Sequence, residues 1–472
     1  MPAHLFQKGC VRLKQVFKEL LDAIPDYQQF LTVDEMDASS KALAKAHPDT
    51  VELFDIGKTT LGHPILCLKI GNGPKNALLT GCPHPNEPIG AMMCEHFSWY
   101  LAGNKALRDE LGYTWYIVKT WDADGVKLNE GWLKGPYSIR NYARNFYRPA
   151  GTKQVEWTFP IKYKDLDFQS PIAETQAMIG LLDKIQPDII YSLHNAGFGG
   201  VFWYVGEGLE AIYDDLYKAA EKQGVPLSLG EPEAPFCVEL APAVYKMVSQ
   251  KAFYDYLEQY GTPNIPEIIT AGECSAEYAK ERWGTFTFLT EMPYFYNEHI
   301  MDRSESDMIR KDAALWYLDF SLESNRIARE LLALSAPYIA ADCPFLLAVK
   351  DFTRDEHAEV GRKMYEESPE YQKLATVAEK YDSLLMRPFY TMLVFGMLVR
   401  MNESALAEME KSGEQNEAKK NALQNAFRAA EEEFNRRARY LEENIDYQVI
   451  PIKKLVSIML ESGVLIADHL NQ

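Results

Sequence analysis

His84 and Glu87 stand three positions apart in CPHPNEPIG, a proline-rich turn between an apolar run, NALLTG, and a helical one, AMMCEHF. A neutral imidazole nitrogen and a carboxylate oxygen offered from one turn can converge on a borderline-soft divalent ion such as zinc. Two ligands are one short of a site. His194 supplies the third, at the end of the apolar run PDIIYSLHN and just before a glycine-rich stretch. Two histidines and one carboxylate form a set that holds a catalytic zinc and leaves one position open for water. Glu291 follows the alternating run WGTFTFLTEMP. A carboxylate in a partly dry site is suited to take a proton from such a water and pass it to a leaving amine. The residues thus imply metal-assisted hydrolysis, with one Zn2+ per chain held by His84, Glu87 and His194 and with Glu291 as general base and acid. Arg140, Arg144 and Arg148, in SIRNYARNFYRP, are the densest cationic group near these residues, and guanidinium forks suit carboxylates.

Such side chains need strand ends to carry them. From about residue 50, short β-rich runs (HPILCLKIG, KNALLTGC, YTWYIVKTW, PDIIYSLHN, GTFTFLTEMP) alternate with stretches of helical spacing. This pattern predicts an α/β domain built on a mixed, mostly parallel sheet with helices on both faces. The C-terminal edge of such a sheet is where sites form. The alternation stops near residue 300, and from Ser304 the chain has helical character with few glycines. The expected layout is an N-terminal amphipathic helix over 1–27, a catalytic domain over 28–303 and an all-helical C-terminal module over 304–472. Within that module Leu423, Phe427, Ala430, Phe434 and Leu441 make one apolar stripe. It must be covered by the module's own helices or by a second copy of the chain, so a homo-oligomer is one expected outcome.

The 472 residues carry 68 Asp and Glu against 49 Lys and Arg, a formal charge of -19. Such a chain repels phosphate backbones and anionic lipid surfaces, so neither nucleic acid nor membrane is an expected partner. Seven cysteines without a Cys-x-x-Cys pair read as scattered core thiols, in keeping with a reducing compartment. With no signal-like N-terminal run, the expected location is cytoplasmic. The longest apolar run, Phe389 to Val399, is about half of the ~20 residues a membrane-spanning helix needs, and reads as a buried helix.

Five motifs in order resemble the carboxypeptidase A-like zinc metallocarboxypeptidase superfamily, which includes an aspartoacylase and succinylglutamate desuccinylase branch. They are the lead-in ending FDIGKTTLGHPILCLKIG, then HPNEPIG, DADG at 122–125, SLHN and FTFLTE. The likeness covers roughly residues 28–300. It implies the phosphorylase/hydrolase-like carboxypeptidase fold and hydrolysis of an amide bond in a peptide or peptide-like substrate with a free carboxylate. The alternatives are a deacylase of small N-acyl amino acids and, in another class, an inactive metal-binding scaffold whose helical module recruits partners. By resemblance Arg140 steadies the developing oxyanion and Arg144 binds the substrate carboxylate; Asn145 and Arg148 are expected to bind substrate beside them. The sequence departs from the family's Asp-x-Asn-Arg segment at Asn141 and Ala143, and Tyr278 is the nearest counterpart of the family's mobile tyrosine.

Overall fold

The computed structural model describes residues 14–206, 208–356 and 358–471. The expected helix at the N-terminus falls partly outside them. Its described portion is α1 (Gln15–Asp22), which buries Phe17 and Leu20. Helix α2 (Val33–Ala46) starts at a capping box in which Thr32 and Glu35 satisfy each other's backbone amides.

The β-rich runs become strands β1 (Val51–Lys58), β2 (Pro64–Ile70), β3 (Lys75–Thr80), β4 (Tyr113–Val118) and β5 (Ile189–Phe198). They are followed by β6 (Phe202–Val205), β7 (Glu239–Ala241), β8 (Val244–Lys246) and β9 (Phe286–Tyr296). Their order across the sheet is β1-β2-β4-β3-β5-β9-β6-β8-β7. The central strands β4, β3, β5 and β9 are parallel, and the pairs β1–β2, β2–β4 and β9–β6 are antiparallel. Every residue of β4 is buried, as expected of a parallel strand covered on both faces.

Side-chain alternation splits the core in two. Ala77, Leu79, Ile189, Tyr191 and Leu193 join the larger cluster on one face, whereas Leu78 and Ile190 join a smaller one on the other. The larger face carries α3 (Ile89–Gly103), and the smaller carries α6 (Ala173–Ile185) with Met178, Leu181 and Leu182. Between these come α4 (Ala123–Leu133), capped by the Asp122 carboxylate on the Gly125 amide, and α5 (Ile139–Asn145), capped by the Ser138 hydroxyl on the Asn141 amide. Further on is α7 (Tyr213–Gln223).

After residue 304 the chain is helical, apart from short strands at Glu305–Ile309, Leu374–Thr376 and Gln448–Val449, the last of which pairs with β9. The long helices are α8 (Arg310–Ser335), α9 (Arg387–Ser412), α10 (Glu417–Asn444) and α11 (Ile452–Asn471). The apolar stripe on α10 packs against α9 and α8, burying Leu423, Ala430, Phe434 and Leu441 within the same chain. The run Phe389–Val399 lies in α9. Residues 377–412 are long and apolar enough to cross a membrane, but 67% of their most apolar window is buried inside the protein. Helix α11 packs on α3 and α7, so the C-terminal helices and the sheet share one apolar cluster that includes Leu79, Phe97, Phe395 and Ile458. At about 1.5–3 kcal/mol for each large apolar side chain buried, this shared core couples the stabilities of the two regions.

Contact between α9 and α5 depends on Gly396. A Cβ there would collide with the carbonyl oxygen of Ala143, and relieving such overpacking costs about 1–3 kcal/mol. Gly396→Ala is therefore expected to lower the free energy of unfolding by that amount, read as a lower urea midpoint at unchanged m-value. An unchanged midpoint would show that the two helices can separate freely.

Candidate active site and metal centre

The site lies at the C-terminal edge of the parallel strands. Beyond Thr80 of β3 the chain turns sharply at Gly81 and at Cys82, whose φ is 50°. A side chain at Gly81 would run into the carbonyl oxygen of Lys119, so this turn needs glycine. A second tight turn, with the Glu87 amide donating to the His84 carbonyl at 3.1 Å, sets both side chains on one loop. Gly90 then lets the start of α3 lie against Leu193, where any Cβ would clash. His194 and Glu291 are direct register partners on the parallel strands β5 and β9. Paired residues of neighbouring strands project to the same face.

His84, Glu87 and His194 are all buried, and one ligand atom from each lies within 4.8 Å of the others. His194 Nδ1 is 3.1 Å from Glu87 Oε2, and its Nε2 is 2.9 Å from the Ser192 hydroxyl. With Nε2 engaged by Ser192, Nδ1 is the nitrogen offered to the shared centre. The Asn195 amide donates to Glu87 Oε2 at 3.2 Å, and Arg148 Nη1 donates to Oε1 at 3.1 Å. His84 Nδ1 is buried without a hydrogen-bond partner.

An orphaned ring nitrogen in a buried site costs stability unless something completes it. Here it faces a cluster whose donor set, two imidazoles and one carboxylate, is that of catalytic zinc. Burial, Arg148 and His194 all push His84 well below its ordinary range, which keeps it in the neutral form that binds metal. His84, Glu87 and His194 therefore form a candidate zinc-binding triad.

Glu291 Oε1 is 3.9 Å from His194 Nδ1. Burial, then the neighbouring carboxylates Glu233 and Glu87, push its carboxyl well above the usual range, with Arg148 opposing them. A carboxylate so placed is a ready proton acceptor. All of these groups line one cavity of about 600 Å³, a size suited to a small ligand or a peptide end.

The three arginines separate. Arg140 and Arg144, four residues apart on α5, share a helical face that turns toward the C-terminal helices. Arg140 makes a forked pair with Glu442 at 2.7–2.9 Å and also donates to Asn435. Arg144 pairs with Glu403 at 2.9 Å. The Asn145 amide donates to Asn141 on the same helix. Arg140, Arg144 and Asn145, expected to meet the substrate, do not line the cavity. Helix α5 ends at Asn145 with Phe146 extended, which turns Arg148 out of the helical register and toward Glu87. Tyr278 packs in the smaller core cluster and does not line the cavity.

The glycine-rich stretch after His194 does not begin a loop at once, because β5 continues to Phe198 beside an irregular extension of β9. Several wall residues escaped the sequence reading. Tyr204 and Glu233, bonded to each other at 2.9 Å, and Glu156 are among them. The C-terminal helices add Tyr390, Leu393, Val394 and Met397, with the Tyr390 hydroxyl donating to the Phe198 carbonyl at 3.0 Å. No local motif marks these positions, since only the tertiary fold brings them to the cavity.

A model of the zinc carboxypeptidase family matches residues 36–317. No curated protein matches the chain. Among solved structures, the chain is similar to a metallo-carboxypeptidase from Burkholderia cenocepacia at 16% identity, over 56% of this chain and 60% of that one, with a TM-score of 0.32. It is similar to the carboxypeptidase A from Helicoverpa armigera at 14% identity, over 75% of this chain and 80% of that one, with a TM-score of 0.38. A third similarity, at 17% identity and a TM-score of 0.27, is to the murein-tripeptide amidase MpaA from Escherichia coli O157, over 53% of this chain and 87% of that one. The chain thus spans about 60% of the length of the Burkholderia protein. Because the family pattern runs through more than half of the chain and takes in both metal-ligand segments and the strand that bears Glu291, the protein belongs to the zinc carboxypeptidase family.

Proposed function

We propose that the protein hydrolyses an amide bond next to a free carboxylate in a peptide or peptide-like substrate, using His84, Glu87 and His194 as zinc ligands and Glu291 as general base and acid. The observation that carries this reading is the convergence of three buried ligand atoms, one of them an unpartnered imidazole nitrogen, beside a carboxylate that is not needed as a ligand. Zinc, when bound, supplies a Lewis acid that polarises a carbonyl and makes water a nucleophile near neutral pH. Glu291 takes the proton from the attacking water and returns it to the leaving nitrogen. Ser192 and the Asn195 amide hold His194 and Glu87 in position. The C-terminal helices wall the cavity with Leu393, Val394 and Met397, which excludes bulk water and strengthens the electrostatics inside.

Arg148 takes the role of carboxylate recognition in this reading. It is the one Lys or Arg side chain among the described residues that lines the cavity. Its bond to Glu87 uses one arm of the guanidinium, leaving other N–H donors for a substrate carboxylate. Arg148→Ala is expected to raise KM for peptides with a free C-terminus about 10- to 100-fold, the worth of hydrogen bonds to a charged group. Peptides with an amidated C-terminus serve as the comparison. If wild type cleaves both kinds equally well, the carboxypeptidase specificity fails. If the Arg148 variant cleaves free-acid peptides as well as wild type does, the assignment of Arg148 fails.

A further inference from the structure

Between the end of α5 and Pro149 the chain runs through Phe146, Tyr147 and Arg148 outside every helix and strand. What aims Arg148 must therefore come from side chains. Asn129 of α4 holds both backbone groups of Tyr147, accepting from its amide at 3.0 Å and donating to its carbonyl at 2.8 Å. Arg400 of α9 holds the two residues before it, its Nη1 donating to the carbonyls of Asn145 at 2.8 Å and Phe146 at 3.2 Å. Its Nη2 donates at 2.6 Å to the carbonyl of Leu128, the neighbour of Asn129. One guanidinium thus ties α4 to the exit of α5, directly ahead of the side chain that reaches Glu87.

Each hydrogen bond that Arg400 donates among the described residues goes to a backbone carbonyl. The last carbonyls of a helix have no partner within it, and a planar guanidinium fork can serve several at once where an ammonium cannot. Burial, then the neighbouring Arg144, pulls the Arg400 guanidinium down to about 10, so it is still charged at neutral pH. Placing a cation here costs desolvation, which packing of α9 on α5 by itself does not call for. The guanidinium lies over the Phe345 ring, 4.7 Å from its centroid, and the same ring meets Tyr147 edge-on at 5.3 Å. Gly396, one turn earlier on α9, provides the close approach to Ala143 that brings Arg400 within reach. Arg400 lies beyond residues 36–317, which match the family, so this brace belongs to the C-terminal helices.

Resting on the reading of Arg148 as the carboxylate-binding residue, we propose that Arg400 is a positioning residue for substrate binding, fixing the exit of α5 so that Arg148 points into the cavity. Through it the C-terminal helices set the affinity for the substrate's carboxylate. Arg400 does not line the cavity and acts through Arg148. Without its donors the carbonyls of Leu128, Asn145 and Phe146 are unheld, and a misplacement of about 1 Å at a substrate-positioning group can cost about a hundredfold.

Arg400→Met keeps much of the aliphatic stem and removes the donors. In the full-length zinc-loaded protein it is expected to raise KM for the free-acid peptides that test Arg148 by about 10-fold, within the cost of such a misplacement, with kcat held within about twofold. The decisive measurement is the double variant. If Arg400 acts through Arg148, adding Arg400→Met to Arg148→Ala is expected to leave KM where Arg148→Ala alone puts it. A second rise by the same factor marks a merely structural effect and overturns the proposal, as does an unchanged KM in the single variant. Should Arg400→Met fail to fold, Arg400→Lys, which keeps the charge and part of the bonding, goes through the same cycle and is judged in the same way. A crystal structure of the folded variant separates this inference from the reading beneath it. If Arg148 has left Glu87 while Arg148→Ala keeps the wild-type KM, or while wild type cleaves no peptide, the reading beneath fails alone. If Arg148 still meets Glu87 as in wild type, the positioning role fails alone.

Discussion

Glu291→Gln is expected to lower kcat by about a hundredfold to ten-thousandfold, the usual contribution of a positioned general acid–base, with little change in zinc content. Glutamine matches glutamate in size and keeps its hydrogen-bonding capacity on one side, so β9 and its register with β5 should survive. It cannot accept a proton. The predicted effect is large because no other carboxylate is placed to replace it: Glu87 is held by Arg148, His194 and the Asn195 amide. Glu233, the next acid, is bonded to Tyr204. Steady-state kinetics and metal analysis on one preparation check the prediction together. A variant with full zinc and half of the wild-type kcat would sink the assignment of Glu291, whereas loss of both zinc and activity would place Glu291 in the metal site itself.

The second large effect concerns metal removal. Zinc added to metal-free protein at about a thousand times its Kd is expected to stabilise the fold by about 4 kcal/mol. For a chain of this length that is a rise of about 4 °C in Tm. The stabilisation arises because the ion binds a site that exists only when β3, β5 and the turn between β3 and α3 are assembled. His84→Ala is expected to abolish the zinc-dependent rise. Without zinc the same substitution should cost little hydrogen bonding, because Nδ1 of His84 has no partner to lose. A zinc-dependent shift of equal size in His84→Ala would show that the ion binds elsewhere.

Why some residues were readable and others were not follows from how local their determinants are. His84 and Glu87 sit on one turn, and His194 and Glu291 each end an apolar run, so strand periodicity and residue type located all four. The arginines show the opposite case. Spacing of four residues grouped Arg140, Arg144 and Arg148 into one cationic cluster, yet α5 ends between the second and the third. Two of them meet Glu442 and Glu403, acids 302 and 259 positions further along the chain. Those partners lie on helices whose docking no local pattern encodes. The apolar stripe of α10 was likewise legible as a stripe, but its covering by α9 and α8 of the same chain was not.

By itself the sequence determined the α/β alternation, the triad, the candidate base and the helical nature of the C-terminal region. Each of these rests on interactions within a few residues: backbone propensity, side-chain periodicity and the donor types at strand ends. Tertiary structure alone decided which arginine reaches Glu87, that Glu156 stands in the cavity wall with an unpaired oxygen, and that α9 closes the cavity with Leu393, Val394 and Met397. These features come from contacts between segments from 61 to more than 200 residues apart, fixed by burial of a shared apolar core and by close approaches such as that of Gly396 to Ala143. Such contacts depend on how whole elements pack, which the order of residues along the chain specifies only through the complete fold.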